Sequence, residues 1–439
     1  MKTASVENTE KDWEALLSYL PEAYQELVWQ YGVLRSEWPN AKVTDARTLL
    51  RFILLHVGAG LPLRQTVAVV AAGGGPKMTQ VWLHKRMRRA QPYLAALVSL
   101  MLPKGESEAT PERWAGYEMV CLDGSTVSGP GADGADVRMH AVVRLHDLRV
   151  CNVQVTTTAV GETLRNLTWL PGQLVIADRC YSSPPGILWV AVDCGADVLV
   201  RVNRGALPLY DENGDVIDIL EWCRSLKGSR ATERAVSIVA GAGKNRRDLE
   251  GRLIGYRLPE AQARDARARV RREEGPSVAP EHLEAAEYII LFTTAQVARL
   301  SAHRCVEAYR LRWQVELLFK RWKSLCRFDR LPNYRDDTMC AWLTAKVLLG
   351  LLLDKATAAS EAAISAPSTR SPMARQPWKL TSIMWPLIVA ALIPIRFADA
   401  ADHVPAITEH LDSFADYEDL RQVDAFRKRY YPSPVAPIY

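Results

Sequence analysis

The chain has no CxxC pair among its eight cysteines (Cys121, Cys151, Cys180, Cys194, Cys223, Cys305, Cys326 and Cys340). That absence argues against a zinc ribbon and a thioredoxin-type redox site, and it suits a reduced, cytosolic protein. Long apolar runs are missing too. The two longest stretches, Val347 to Leu353 and Met384 to Ile395, the latter broken by Pro386 and Pro394, fall short of the roughly 20 residues a membrane span needs. Both are expected as buried helices, and no membrane partner is expected. The opening residues MKTASVENTEKDW contain no apolar core, so a secretory signal is not expected. The segment GAGKNR has Ile238 where the first P-loop glycine should stand and Asn245 in place of Ser or Thr, which excludes an ATPase reading. Internal repeats are absent.

A strong charge of one sign is lacking as well: 55 Lys and Arg against 50 Asp and Glu leave +5 over 439 residues. With 48% hydrophobic and 24% charged residues, disorder is excluded as the dominant state, and the length suggests about three domains. The small total conceals an uneven placement. Residues 77–90 carry +5, residues 230–274 carry +5 and residues 304–335 carry +6, so these 91 residues hold +16 and the remaining 348 hold −11. Basic islands on an acidic background are what a polyanion-binding protein needs, because each neutralised phosphate releases condensed counterions.

Periodicity divides the chain. Up to about residue 105 the pattern is helical: TDARTLLRFILLHVGAG places Leu49, Leu50, Ile53, Leu54 and Val57 at helical spacing behind Thr44 and Asp45 as cap candidates and closes on Gly58 and Gly60. A second helix, LPLRQTVAVVAA, runs into Gly73-Gly74-Gly75, and a third, MTQVWLHKRMRRA, carries Lys85, Arg86, Arg88 and Arg89. Two short helices around a Gly-rich turn, the second one basic, are compatible with a helix-turn-helix DNA reader and equally with a plain three-helix unit. From Tyr117 the period changes to two. EMVCLD, VRMHAVVRLHD, RVCNVQVTT, QLVIAD and ADVLVRV read as five strands, with YSSPPGILWVAVDCG as a crossover helix between the last two. An antiparallel meander continued by a parallel unit is expected.

Residues 204–285 read as an insertion, with a hairpin turning at Asn213-Gly214. YIILFTTAQ then returns as a strand, and one long helix is expected from about Ala302 to Ser324. Beyond it come a helix over Trp342 to Lys355, an Ala/Ser/Pro-rich linker, and helices at about 378–395 and 405–425.

Two acids occupy equivalent places. Asp123 closes MVCLD before Gly124-Ser125-Thr126, and Asp178 closes QLVIAD before Arg179-Cys180-Tyr181. An acid where a buried strand ends stands at the rim of a sheet, where ligands bind, although a single such Asp more often caps a turn. In the long helix, Tyr309, Arg312, Glu316, Lys320 and Lys323 share a stripe about 80° wide, opposite Leu311, Val315, Leu318, Trp322 and Leu325. One acid sits there among four donors, three of them cationic. By itself such a stripe is a surface helix with ion pairs. Joined to the strand-end acids, it gives three carboxylates able to hold two divalent cations beside a face that grips phosphate. His140 and His146 share a strand face and read as sheet histidines rather than ligands.

The spacing Y-x2-R-x3-E-x6-K in YRLRWQVELLFKRWK resembles the signature helix of the DDE transposases of bacterial insertion sequences, the cut-and-paste group with an RNase H-like catalytic domain. LDGST and ADRCY are similar to that family's two strand-end motifs, in the expected order; Cys180 stands where the family usually has Gly, so an altered turn is expected after Asp178. The resemblance covers residues 117–325 well. It implies an α+β fold with an RNase H-like mixed sheet, flanking helices, an inserted β-rich subdomain, and helical N- and C-terminal regions. The implied division is a DNA-binding region over 1–110, a catalytic domain over 117–203 and 286–335, the insertion over 204–285, and a C-terminal region over 336–439 that could serve dimerisation. It further implies that Asp123, Asp178 and Glu316 ligate two Mg²⁺ (or Mn²⁺) ions, and that Tyr309, Arg312 and Lys323 contact the phosphate backbone of double-stranded DNA. Lys320 is an additional phosphate contact by its place on the stripe. In relatives the insertion can stack a flipped base on an aromatic, for which Trp222, Tyr210 and Tyr256 are the candidates here. The implied activity is cleavage at the element's ends and transfer of the 3′-OH ends into target DNA by at least a dimer, in the cytoplasm and on the nucleoid. A two-metal nuclease without strand transfer and an inactive DNA-binding derivative are the rival expectations.

Overall fold

The computed structural model describes residues 2–35, 41–103, 114–129, 131, 136–226, 228, 230–275, 277–332, 336–363 and 377–395. In chain order these form six helices, α1 (Lys2–Leu17), α2 (Tyr24–Gln30), α3 (Ala46–Ala59), α4 (Leu63–Ala72), α5 (Gln80–Arg89) and α6 (Gln91–Met101). The strands β1 (Glu118–Val127), β2 (Val137–Arg144), β3 (Arg149–Thr157) and β4 (Gln173–Ala177) follow, then α7 (Pro184–Leu188), β5 (Asp197–Arg201), α8 (Ile219–Arg224), β6 (Thr232–Ala240) and β7 (Arg247–Arg257). The series closes with α9 (Glu260–Glu274), α10 (Pro280–Ala285), β8 (Tyr288–Thr293), α11 (Ala302–Arg310), α12 (Trp313–Cys326), α13 (Asp336–Ala363) and α14 (Pro377–Leu392). The helix expected at 405–425 lies outside the described residues. No described helix is long and apolar enough to cross a membrane.

The chain divides into two compact units, one from residues 1–97, 344–359 and 382–439, the other from 98–343 and 360–381. In the first, α3 is apolar nearly all round and correspondingly buried, from Leu49 through Val57. Asp45 caps it by accepting from the Thr48 N–H at 2.7 Å, and Gly60 ends it in the left-handed region at φ +69°. A Cβ on Gly58 would stand 2.8 Å from Leu392 Cδ1 and 3.2 Å from Leu349 Cδ1, so this glycine lets the C-terminal helices come close. The late apolar stretches expected as buried helices therefore complete the core of the N-terminal unit. α13 is longer than the 342–355 expected and runs to Ala363 into the anticipated linker, because ATAASEAA is rich in strong helix formers.

The second unit is built on one eight-stranded sheet in the order β3-β2-β1-β4-β5-β8-β7-β6. β1, β2 and β3 are an antiparallel meander, and β4 and β5 run parallel to β1. With helices flanking it, this is the α+β, RNase H-like arrangement expected. β4 is buried along its whole length, as a strand covered on both faces must be. The crossover helix is present as α7 continued by a π-helical turn over Trp189–Asp193. The insertion does not make a sheet of its own: β6 and β7 extend the main sheet through β8, and the segment also carries the 15-residue α9. The Asn213-Gly214 turn is closed by a Tyr210–Val216 bridge and by Asp211, whose carbonyl accepts from the Gly214 N–H at 3.0 Å and whose Oδ1 accepts from the Asn213 and Asp215 N–H groups, with Gly214 at φ +83°.

The long helix expected from Ala302 to Ser324 is two helices. Between α11 and α12 the N–H groups of Leu311, Arg312, Gln314 and Val315 each donate to the carbonyl three residues back, a tighter 3₁₀-type turn. No Pro or Gly marks the break; what stands there is Arg312, drawn toward carboxylates described below.

Candidate active site

β1 and β4 pair in parallel with Cys121 opposite Ile176. Asp123 on β1 and Asp178 after β4 each lie two residues beyond that last pair, so both acids stand at the same end of the sheet, just past the point where the two strands part. Contrary to the sequence expectation, Asp123 does not end its strand. β1 runs on to Val127 against β2, with Asp123 opposite Ala141, because only the β4 side lets go after Cys121. Asp178 does sit at a chain turn: its Oδ1 accepts from the Cys180 N–H at 2.8 Å. The turn does not require a glycine at Cys180. Among the described residues, positive φ outside glycine is confined to Ala115, Leu148 and Arg327, so Cys180 occupies a conformation any L-residue adopts.

Glu316, one turn into α12, reaches the same place from the other side. The Arg312 guanidinium donates to Asp123 Oδ2 at 3.4 Å and to Glu316 Oε1, so one cation bridges a strand acid and a helix acid. Arg312 and Asp123 are only 16% and 17% exposed. Burial pushes the Asp123 carboxyl up to about 6; Asp178 and Glu316 push the same way, while Arg312 and the Gly124 N–H oppose. Three carboxylates thus feel one another across a small volume. Arg312 is desolvated, yet Tyr309, Glu316 and Asp123 hold its charge on strongly.

The rest of the stripe divides. Lys323 Nζ donates to the Thr126 carbonyl at 2.9 Å, tying α12 to the far end of β1, and its burial lowers its pKa. Tyr309 is pushed up by burial, against the pull of Arg312 and of Arg201 on β5. Lys320 is exposed. Val315, Leu318 and Trp322 are buried behind the stripe as expected.

In the first unit Lys85, Arg88 and Arg89 lie exposed on α5, but Arg86, grouped with them on sequence, turns inward and donates to the Val33 carbonyl at 3.1 Å. Its position on the helix, three residues after buried Leu83, faces the core. Of the aromatic candidates, Trp222 is partly buried and packs against the core and on Gly255, where a Cβ would meet its ring at 2.7 Å; Tyr256 lies under the Arg310 guanidinium at 5.4 Å; Tyr210 bridges to Ser237. His140 is wholly buried with Nε2 3.3 Å from Thr156 Oγ1, as a sheet histidine.

Two neighbours, Glu162 and Arg201, escape sequence reasoning, whereas Tyr181 belongs to the ADRCY motif. Glu162 and Tyr181 crowd the reverse side of β1 at Gly124, where an added Cβ would stand 2.6 Å from Glu162 Oε1 and 3.0 Å from Tyr181 Oη. The glycine of the DGST motif was the available signal. Arg201 was the other: an arginine closing the apolar run DVLVR.

A family model described as the transposase DDE domain matches residues 114–351. The chain belongs to the DDE transposase family. It is 29% identical over 350 residues to the transposase of insertion sequence element IS421 of Escherichia coli, and 29% over 349 residues to InsL of element IS186A of E. coli K12. Each alignment covers 78% of this chain and 93% of the relative. A more distant relative is the transposase of IS231E from Bacillus thuringiensis subsp. finitimus, 24% identical over 246 residues and half of each chain. The matched family residues contain Asp123, Asp178 and Glu316 together.

Whether a divalent metal suits this transposase site is a question of donors. All three acids offer the hard carboxylate oxygens that Mg²⁺ prefers, and a cation, the Arg312 guanidinium, already lies between two of them. The donor set fits. Among the described residues, however, no three acids stand at metal-ligand spacing, consistent with a site closed on Arg312.

The raised Asp123 pKa carries a stability consequence. A carboxyl with a folded pKa near 6 and an ordinary value of 3.8 subtracts stability above pH 6 and none below about pH 3.8. In chelator-treated protein, Asp123→Asn should therefore unfold at higher denaturant than wild type at pH 8, by up to about 3 kcal/mol. The gap should close as pH falls from 6 to 4. A variant less stable than wild type at pH 8 would refute the assignment of a buried, unfavourable charge.

Proposed function

We infer that this transposase cuts DNA at the ends of an insertion sequence and joins the freed 3′-OH ends to target DNA, with Asp123, Asp178 and Glu316 as its metal-binding acids. The observation that carries the reading is the convergence of Asp123 and Glu316 on one guanidinium, with Asp178 at the end of the neighbouring strand and its charge felt at Asp123. Two Mg²⁺ ions, or Mn²⁺, held by these carboxylates would supply an activated oxygen nucleophile and neutralise charge on the phosphate being attacked.

The chain's own groups divide the remaining work. Asp123 is held within β1 by its pairing with β2, and Asp178 by the turn in which its Oδ1 accepts from the Cys180 N–H. Glu316 comes from a helix that Lys323 anchors to the Thr126 carbonyl. Arg312 neutralises Asp123 and Glu316 in the free protein; once these are engaged elsewhere, its guanidinium is available to a DNA phosphate, with Tyr309 beside it and exposed Lys320 further along the helix. Lys85, Arg88 and Arg89 on α5 are surface cations suited to duplex backbone, whereas inward-facing Arg86 supports the unit. Two ends must be held at once, which calls for at least a dimer. The exposed Ile383 and Leu387, one turn apart on α14, are apolar surface available to a second copy.

DNA bearing the element's two ends, incubated with the protein and Mg²⁺, tests the reading. Joined product is expected; cut ends without joining would identify a nuclease.

A further inference from the structure

Beside the acids lies a cavity of about 310 Å³, within the second unit, whose lining includes Arg179, Arg201, Asn203, Arg204, Glu274 and Tyr288. Sheet register places it. β4 and β5 pair in parallel with Ala177 opposite Val200, so one step further Asp178 is level with Arg201. Asp178, just past the end of β4, and Arg201, the last residue of β5, thus stand at the same rim of the sheet as Asp123. Arg201 sits next to Asp178 on the side away from Asp123, and its charge is felt at Tyr309.

The charges in the cavity are not spent on one another. Neither Arg179 nor Arg201 has an ion pair among the described residues, and Arg204 donates only to the Glu281 carbonyl, at 3.5 Å. The one lining carboxylate, Glu274, is taken by His282 at 3.0 Å. Three arginines therefore line one concavity with no ion pair among the described residues, and a guanidinium fork matches phosphate geometry. Asn203 shapes the floor by accepting from the Gly205 N–H at 3.2 Å, and Tyr288, 4% exposed, walls it.

We propose that this cavity is a phosphate subsite, holding a backbone phosphodiester next to the one that lies at Asp123 and Asp178. The proposal rests on the transposase reading above and names where the strand goes on one side of the cut. Duplex DNA carries phosphates every 3.4 Å of axis on each strand, so a strand held at Asp123 and Asp178 and running on along the rim toward Arg201 would bring a further phosphate to the cavity mouth. The phosphate could belong to an element end or to target DNA; the chemistry of recognition is the same.

The test uses the full-length protein and two labelled duplexes of equal length, one carrying an element end and one without it. Affinity is measured against salt concentration for wild type and for the Arg201→Gln/Arg204→Gln double variant. Loss of one or two phosphate contacts should make the log–log slope shallower by about 1–2, with about tenfold to hundredfold weaker binding at low salt. The shift on the end duplex assigns the subsite to element DNA, and a shift confined to the other duplex assigns it to target DNA. Unchanged slopes on both would overturn the proposal. A second measurement leaves the protein intact: one methylphosphonate linkage, neutral in place of a phosphate, is moved along the strand beside the cut. Wild type should lose affinity at one such position, and insensitivity at every position would again overturn it. Wild type that binds neither duplex in a salt-dependent manner would instead sink the transposase reading.

Discussion

Glu316→Gln is expected to cut end cleavage by about a hundredfold to a thousandfold, the scale on which loss of one charge-stabilising group acts, while end binding stays within about twofold of wild type. The substitution keeps size and shape but removes a carboxylate charge. Arg312 keeps a partner in Asp123, so the fold should tolerate it. Glu316 is 42% exposed and carries no phosphate contact in the account above, hence the small effect on binding. Cleavage measured on labelled end duplex, beside a binding titration on the same duplex, separates the two quantities. Retained cleavage would remove Glu316 from the site.

Gly124→Ala should be nearly as damaging, for a steric reason. The new methyl would stand 2.6 Å from Glu162 Oε1 and 3.0 Å from Tyr181 Oη. Glu162 can swing aside, at the loss of its 3.5 Å pairing with Arg138. Tyr181, 1% exposed and packed in the core of the second unit, cannot, so β1 itself must shift. Asp123 is the adjacent residue on that strand, and a displacement of about 1 Å at a reacting group can lower the rate about a hundredfold. Cleavage should fall by about that factor with end affinity preserved. Adding Tyr181→Phe, which removes the Oη atom, should recover part of the loss. Full activity in Gly124→Ala would show that the space behind the motif is not needed.

The legible and illegible parts of this fold differ in where their causes lie. Asp123 and Asp178 could be picked out because apolar runs end beside them, a local signal, and the strands themselves follow from period-two patterning. Glu316 was legible through helix spacing although the helix is interrupted, since the 3₁₀-type turn at Leu311 and Arg312 rotates the stripe too little to part Arg312 from Glu316. That interruption was not legible: it has no Pro or Gly and stands where a tertiary contact to Asp123 is made. The same holds for Arg86, whose inward turn depends on the Val33 carbonyl 53 residues away. β6 and β7 were not legible as strands, since their residues stood out only as an Arg-rich island, and their union with the main sheet depends on β8, a partner distant in sequence. Arg201 and Glu162 lay unnoticed because only the register across β1, β4 and β5 and the missing Cβ of Gly124 bring them to the site.

All of this turns on three acids acting as one metal site, and counting bound Mn²⁺ by electron paramagnetic resonance tests that most directly. The end-bound wild-type protein should retain about two Mn²⁺ per subunit, and the Asp123→Asn/Asp178→Asn/Glu316→Gln variant, still bound to the same duplex, should retain none. Equal retention by the two proteins would contradict the account.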